Sequence, residues 1–101
     1  MTPEKKIQNL IIDYFKNLKK MGLPARIERR QAGGFSYKMG IPDLYAVYNG
    51  YHIEIEVKSN NGQLRPMQIK WKEQCIKDNT LYICAKSLDD VKNFMYQHFK
   101  I

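Results

Sequence analysis

The chain opens on a periodic run. Ile7, Leu10, Ile11, Tyr14, Phe15, Leu18 and Met21 recur at steps of three and four, which is the spacing of one face of an α-helix. Lys5, Lys6, Asn9, Asp13, Lys16 and Lys20 fall on the opposite face. Thr2 suits the capping position and Pro3 the first helical one, and Gly22 suits the end. Residues 24–31 read as a strand, and residues 32–42 as a polar loop with Gly33-Gly34 and Gly40. Leu44 to Tyr48 and Tyr51 to Lys58 read as two strands, joined by Asn49-Gly50, a pair suited to a two-residue hairpin turn. The second strand alternates: Ile53, Ile55 and Val57 face one way, and His52, Glu54, Glu56 and Lys58 the other. After a turn at Ser59 to Gly62, Pro66 opens a helix that runs to about Asp78 and buries Met67, Trp71 and Cys75. Thr80 to Ala85 is a short apolar strand. Ser87, with Asp90 three residues on, caps a last helix that buries Leu88, Val91, Phe94, Met95 and Phe99.

The predicted order is α-β-β-β-α-β-α. An antiparallel meander followed by a helical crossover to a further strand gives an α/β domain: a mixed sheet flanked by helices on both faces. The chain of 101 residues is expected to form one domain over residues 1–101, large enough to bury a core without disulfides or structural metal.

Charge changes the picture more than composition does. Seventeen Lys and Arg stand against ten Asp and Glu, a net charge of +7, and a small basic domain is suited to a polyanion. No stretch approaches the roughly 18 apolar residues of a membrane span. The run after the first lysines is amphipathic, unlike a signal peptide. The expected location is therefore cytoplasmic, in a bacterial host if the chain is phage-encoded, and not secreted. Cys75 and Cys84 lack metal-type spacing and read as free thiols.

The hairpin register carries the candidate chemistry. If Asn49-Gly50 closes a two-residue turn, Tyr48 faces Tyr51, and counting outward sets Asp43 directly opposite Glu56. Opposed side chains have Cβ atoms about 4.5–5.5 Å apart, so two carboxylates there call for a cation. Oxygen ligands suit Mg²⁺ or Mn²⁺, which keep several waters and need only one or two protein carboxylates. Lys58 lies on the same face about 6.5–7 Å further along the strand, within reach of a metal-bound water or a phosphate. The same residues also suit a solvated strand face with a cross-strand salt bridge. A one-residue slip of register would put the two carboxylates on opposite faces.

These residues resemble a known family. Pro42-Asp43 followed by Glu56-Val57-Lys58 is similar to the PD-(D/E)xK nuclease signature. The longer pattern runs through Gly40-Ile41-Pro42-Asp43-Leu44, Ile55-Glu56-Val57-Lys58 and Gly62-Gln63-Leu64, with Gln68 and Trp71. It resembles the virus-type replication-repair nuclease (VRR-NUC) domain from about Glu4 to Phe99. Arg65-Pro66 stand where that family often has a serine. The resemblance implies a restriction-endonuclease-like fold and metal-dependent cleavage of DNA. It implies that Asp43, Glu56 and the Val57 carbonyl hold Mg²⁺ or Mn²⁺, with Glu4 assisting directly or through water. Lys58 would position or activate the water, and Gln68 would hydrogen-bond near the metal or the lysine. On its own, Glu4 reads as a helix-start residue that meets the helix dipole, and Gln68 as a surface helix residue.

Around this site, Lys5, Lys6, Arg29, Arg30, Lys38, Arg65 and Lys72 are candidate phosphate contacts, with Arg26 and Lys70 nearby. Phe35 and Tyr37 on the glycine-bearing loop are placed to press against a DNA backbone or branch point, or to tuck into the core. Glu54 lies on the same face and reads as a supporting group behind the site or as a partner for a basic side chain, and His52 and His98 carry no pattern. Stand-alone members of the family look like Holliday-junction resolvases, so branched DNA is the expected substrate. Symmetric cutting of two strands requires a C2 homodimer, with Tyr45, Tyr48 and Tyr51 as interface candidates if exposed. The rival readings are a non-catalytic nucleic-acid-binding module with the nuclease fold, and an interaction protein with no nucleic-acid role.

Overall fold

Asn49 and Gly50 both adopt positive φ, 51° and 82°, in the computed structural model, and the tight turn they form sets the register of the sheet. The structure describes residues 1–30 and 34–101, apart from the Ser36 side chain. The turn joins β2 (Leu44–Tyr48) to β3 (Tyr51–Val57), which pair antiparallel with Tyr48 opposite Tyr51 and Leu44 opposite Ile55. β1 (Ala25–Arg29) extends the sheet antiparallel to β2, and β4 (Leu81–Ala85) lies parallel to β3. The result is a four-stranded mixed sheet in the order β1-β2-β3-β4, as the meander-and-crossover pattern requires. The expected strand ending at Gln31 stops at Arg29 among the described residues; Gln31, and the loop positions Ala32 and Gly33, lie outside them.

Among the described residues four helices surround the sheet: α1 (Pro3–Lys20), α2 (Gly34–Met39), α3 (Pro66–Asp78) and α4 (Leu88–Phe99). Thr2 Oγ1 accepts from the Lys5 N–H at 3.2 Å, and Ser87 Oγ from the Asp90 N–H at 3.1 Å. Both caps satisfy otherwise orphaned donors of a first helical turn. α2 was not expected. Its segment reads in the sequence as a polar, glycine-bearing loop; Phe35, Tyr37 and Met39 follow no helical hydrophobic period, and all three are exposed. The order is thus α-β-α-β-β-α-β-α.

The core fills one side of the sheet. Leu44, Ala46, Tyr48, Ile53, Ile55 and Val57 pack against Ile11, Phe15 and Leu18 of α1 and Val91 and Met95 of α4. The other side lies under α3, where Cys75 is buried and Met67 and Trp71 are half-buried. Here the alternating pattern of β3 was only half informative. Glu54 and Glu56 are 4% and 5% exposed, so every residue from Ile53 to Val57 is buried. A solvated charged face is therefore excluded, and each buried carboxylate needs a specific partner. Cys75 and Cys84 are both free.

Candidate active site

The observed pairing of Leu44 with Ile55, carried one step outward, sets Asp43 against Glu56 where β2 begins and β3 ends. Asp43, Glu56, Val57 and Lys58 line a cleft of about 560 Å³ there. Glu4 from the first turn of α1, Arg65 and Gln68 from the start of α3, and Gly34 and Tyr37 from α2 complete its walls. Sequence positions 4, 43, 56, 58 and 68 are thus brought to one place, as the motif reading requires.

Glu56 is the most constrained of these groups. Its Oε1 accepts from Gln68 Nε2 at 2.5 Å. The Gln68 Oε1 accepts from the Arg65 backbone N–H at 2.8 Å. That second bond is half of a capping box, and it fixes which end of the amide faces Glu56. Gln68 therefore meets the carboxylate itself, rather than the lysine. Burial pushes the Glu56 carboxyl up to about 7; Lys58 and Arg65 pull it down, and Asp43 and Glu4 push it further up.

Asp43 is exposed and held differently. Its Oδ2 accepts from Gln8 Nε2 at 3.4 Å, a long hydrogen bond from the buried face of α1. Gln8 was missed by the sequence reading. The available signal was its place four residues after Glu4 and three before Ile11, a polar residue on the stripe that faces the sheet.

The peptide carrying Asp43 is clamped from behind. The Arg30 backbone N–H donates to the Asp43 carbonyl at 2.7 Å. The Arg30 guanidinium donates to the Pro42 carbonyl at 2.7 Å and takes both oxygens of Glu54, at 2.6 and 2.7 Å. Its planar fork matches the carboxylate, and the pair gives the buried Glu54 its partner. Arg30, a candidate DNA contact, directs these donors to Glu54 and Pro42, two positions from Glu56 and one from Asp43. His52 approaches the same Glu54 carboxylate through Nε2 at 2.5 Å and stacks on Tyr45.

Gly40 explains the glycine of the Gly40-Ile41-Pro42-Asp43 run. Its φ is +72°, and a Cβ there would lie 2.5 Å from the Gln68 backbone nitrogen and against the Met67 carbonyl. Only glycine lets the end of α2 sit this close to the first turn of α3.

Of the remaining basic candidates only Arg65 lines the cleft. Lys5 and Lys6 are exposed beside Glu4, and Lys38 is exposed on α2. Arg29 is exposed and donates to Asn9 Oδ1 at 2.9 Å. Arg65 reaches Tyr37, donating to its carbonyl at 3.1 Å with the guanidinium 3.8 Å from the ring centroid. Lys72 faces a separate hollow with Cys84 and Lys86 and does not line the cleft. Of the three interface candidates only Tyr51 is exposed; Tyr48 is buried, and Tyr45 is half-buried between His52 and Arg30.

The donors in the cleft suit a hard divalent cation. They are carboxylate oxygens, one of them buried and pushed toward its neutral form beside a second. Among the described residues no three His, Cys, Asp or Glu side chains converge to hold a metal ion. Glu4 lines the cleft wall with Asp43 and Glu56.

No family model and no curated protein matches the sequence. Solved structures do. A VRR_NUC domain aligns over 98% of this chain and 99% of its own, with a TM-score of 0.76 and 23% identity. A VRR_NUC domain protein aligns over 99% of this chain and 90% of its own, with a TM-score of 0.72 and 24% identity. Over nearly its whole length, the chain has the fold of a VRR-NUC domain.

Proposed function

We propose that this protein is a Mg²⁺- or Mn²⁺-dependent nuclease that hydrolyses DNA phosphodiester bonds at the cleft between α1, α3 and the β2–β3 hairpin. The observation that carries the reading is that Asp43, one step beyond the Leu44–Ile55 pair, lines the same cleft as the buried, Gln68-held Glu56 and Lys58. A binding module has no use for opposed carboxylates facing a polyanion.

Asp43, Glu56 and the Val57 carbonyl would hold the ion, and Glu4 would act through its water shell. When bound, a divalent ion acidifies a coordinated water and offsets charge developing on the scissile phosphate. Gln68 fixes the rotamer of Glu56, and Gln8 steadies Asp43. The Lys58 ammonium, on its flexible stem, orients the attacking water or a phosphate oxygen. Residues of the first turns of α1 and α3, Glu4 and Gln68, line the cleft, and the positive ends of both helix dipoles favour an anion nearby. Lys5, Lys6, Lys38 and Arg65 supply salt-dependent, sequence-independent phosphate contacts.

Branched DNA, such as a Holliday junction, is the proposed substrate class, with a C2 homodimer supplying a second active site for symmetric cutting. The test incubates the protein with labelled duplex, flap and four-way-junction DNA in Mg²⁺, Mn²⁺ or EDTA. Cleavage that needs metal and is lost in Glu56→Ala is expected. Salt-sensitive binding with no cutting under any metal would refute the nuclease reading. Light scattering of the protein with a four-way junction checks the dimer.

A further inference from the structure

One aromatic side chain stands out on the rim of the cleft. Tyr37, on the six-residue α2, is 64% exposed. Most of its ring is left open to solvent rather than packed in the core. Tyr37 lines the cleft itself, together with Gly34, Asp43, Glu56 and Lys58. It is also braced. Arg65 donates to the Tyr37 carbonyl at 3.1 Å and lays its guanidinium 3.8 Å from the ring centroid. The close Gly40 contact with Met67 and Gln68 ties the end of α2 to the same helix that holds Glu56.

We infer that α2 is a stacking platform for an unpaired DNA base, held beside the cleft so that a strand with an unstacked nucleotide is seated there in preference to continuous duplex. This deepens the nuclease reading and rests on it for the site's substrate being DNA. The chemistry fits one occupant. A nucleobase offers a flat π-face to the ring face of Tyr37 opposite Arg65, and its phosphate has the cations Arg65 and Lys58 in the same cleft. Aromatic stacking of this kind is tolerant of sequence because every base has a π-face. In duplex DNA the bases stack on one another and present no such face. An apolar peptide or a membrane surface would leave the charges beside the ring unmatched. The platform therefore supplies discrimination between unpaired and paired strands without any base-edge readout, as recognition of unstacked bases on aromatic side chains does elsewhere.

The experiment uses the Lys58→Ala protein in Ca²⁺, so that binding is read without cutting. The probes are a 20-base-pair duplex, and the same duplex with a single-stranded overhang carrying 2-aminopurine. Quenching of the 2-aminopurine emission on binding is the expected sign of stacking. Tyr37→Leu, which keeps bulk and loses the ring, is expected to weaken overhang binding by roughly fivefold or more, with duplex binding unchanged. Tyr37→Phe keeps the ring and is expected to retain overhang binding. The inference is overturned if Tyr37→Leu loses duplex and overhang binding equally, if it loses neither, if Tyr37→Phe is as impaired as Tyr37→Leu, or if the protein binds neither DNA. In parallel, the unmutated protein is assayed for cleavage in Mg²⁺. Ring-dependent overhang binding with no cleavage would sink the nuclease reading and leave the platform standing.

Discussion

Replacing Gly40 by alanine tests how the loop, the helix pair and the carboxylate site depend on one another. At φ +72° an alanine costs about 1–2 kcal/mol in backbone strain alone. The added Cβ would also lie 2.5 Å from the Gln68 nitrogen, roughly 1 Å inside ordinary van der Waals separation. The obstacles are backbone atoms, which cannot swing aside as a side-chain end can. Either α2 or α3 must move, at an overpacking cost of about 1–3 kcal/mol. The combined loss of roughly 2–5 kcal/mol is a large share of the stability of a domain this size. It corresponds to a fall in Tm of about 8 °C or more. A shift of α3 by that distance also stretches the 2.5 Å bond from Gln68 to Glu56, so cleavage falls as well. The assay is thermal and urea unfolding with metal-dependent cleavage, with Gly34→Ala as control. Gly34 has open space around it and no positive φ, so its alanine variant should unfold like the parent. A Gly40→Ala protein within about 1 °C of the parent, cutting DNA at an undiminished rate, would refute the account of this contact.

Other consequences are as direct. Lys58→Ala should lower the cleavage rate by about 10²–10³ while leaving the fold and most DNA affinity intact; gel-shift and turnover measurements on one preparation decide this, and a parent-like rate removes Lys58 from the mechanism. Burial raises the Glu56 carboxyl from its ordinary 4.5 to about 7, so its contribution to the stability of the metal-free protein is fully present below about pH 4.5 and lost as pH rises through 7. Metal needs the ionised form, so Mn²⁺ affinity by calorimetry should fall about tenfold per pH unit below 7, with proton release on binding; a Mn²⁺ affinity flat between pH 5.5 and 8 would contradict the raised value. Arg30→Met leaves the buried Glu54 without its bidentate partner and should cost about 3–5 kcal/mol in urea unfolding, most of it recovered in Arg30→Met/Glu54→Leu; a single variant as stable as the parent would show that the clamp on Pro42 and Asp43 carries no strain-bearing load.

Much of the molecule was written locally. Thr2 and Ser87 start their helices through contacts three residues away, and Asn49-Gly50 sets the hairpin through two φ angles. Because strand pairing has a period of two, that one turn determined that Asp43 meets Glu56 before any tertiary contact was known. What the tertiary structure decided depends on residues far apart in sequence. The Gln8 bond to Asp43 joins positions 35 apart, and the Arg30 pairing with Glu54 joins positions 24 apart. No local pattern announces such pairs, since a glutamine on a helix and an arginine at a strand end read equally well as surface residues. The same holds for β3. Alternation distinguishes two faces of a strand, yet only the placement of α3 over the second face buries Glu54 and Glu56. That burial converts a pair of charged residues into one carboxylate locked to arginine and another held near neutrality. α2 escaped the pattern for the opposite reason: its aromatics face outward, so no hydrophobic period marks it, and its closeness to the cleft comes from a Gly40 contact that only the folded chain makes.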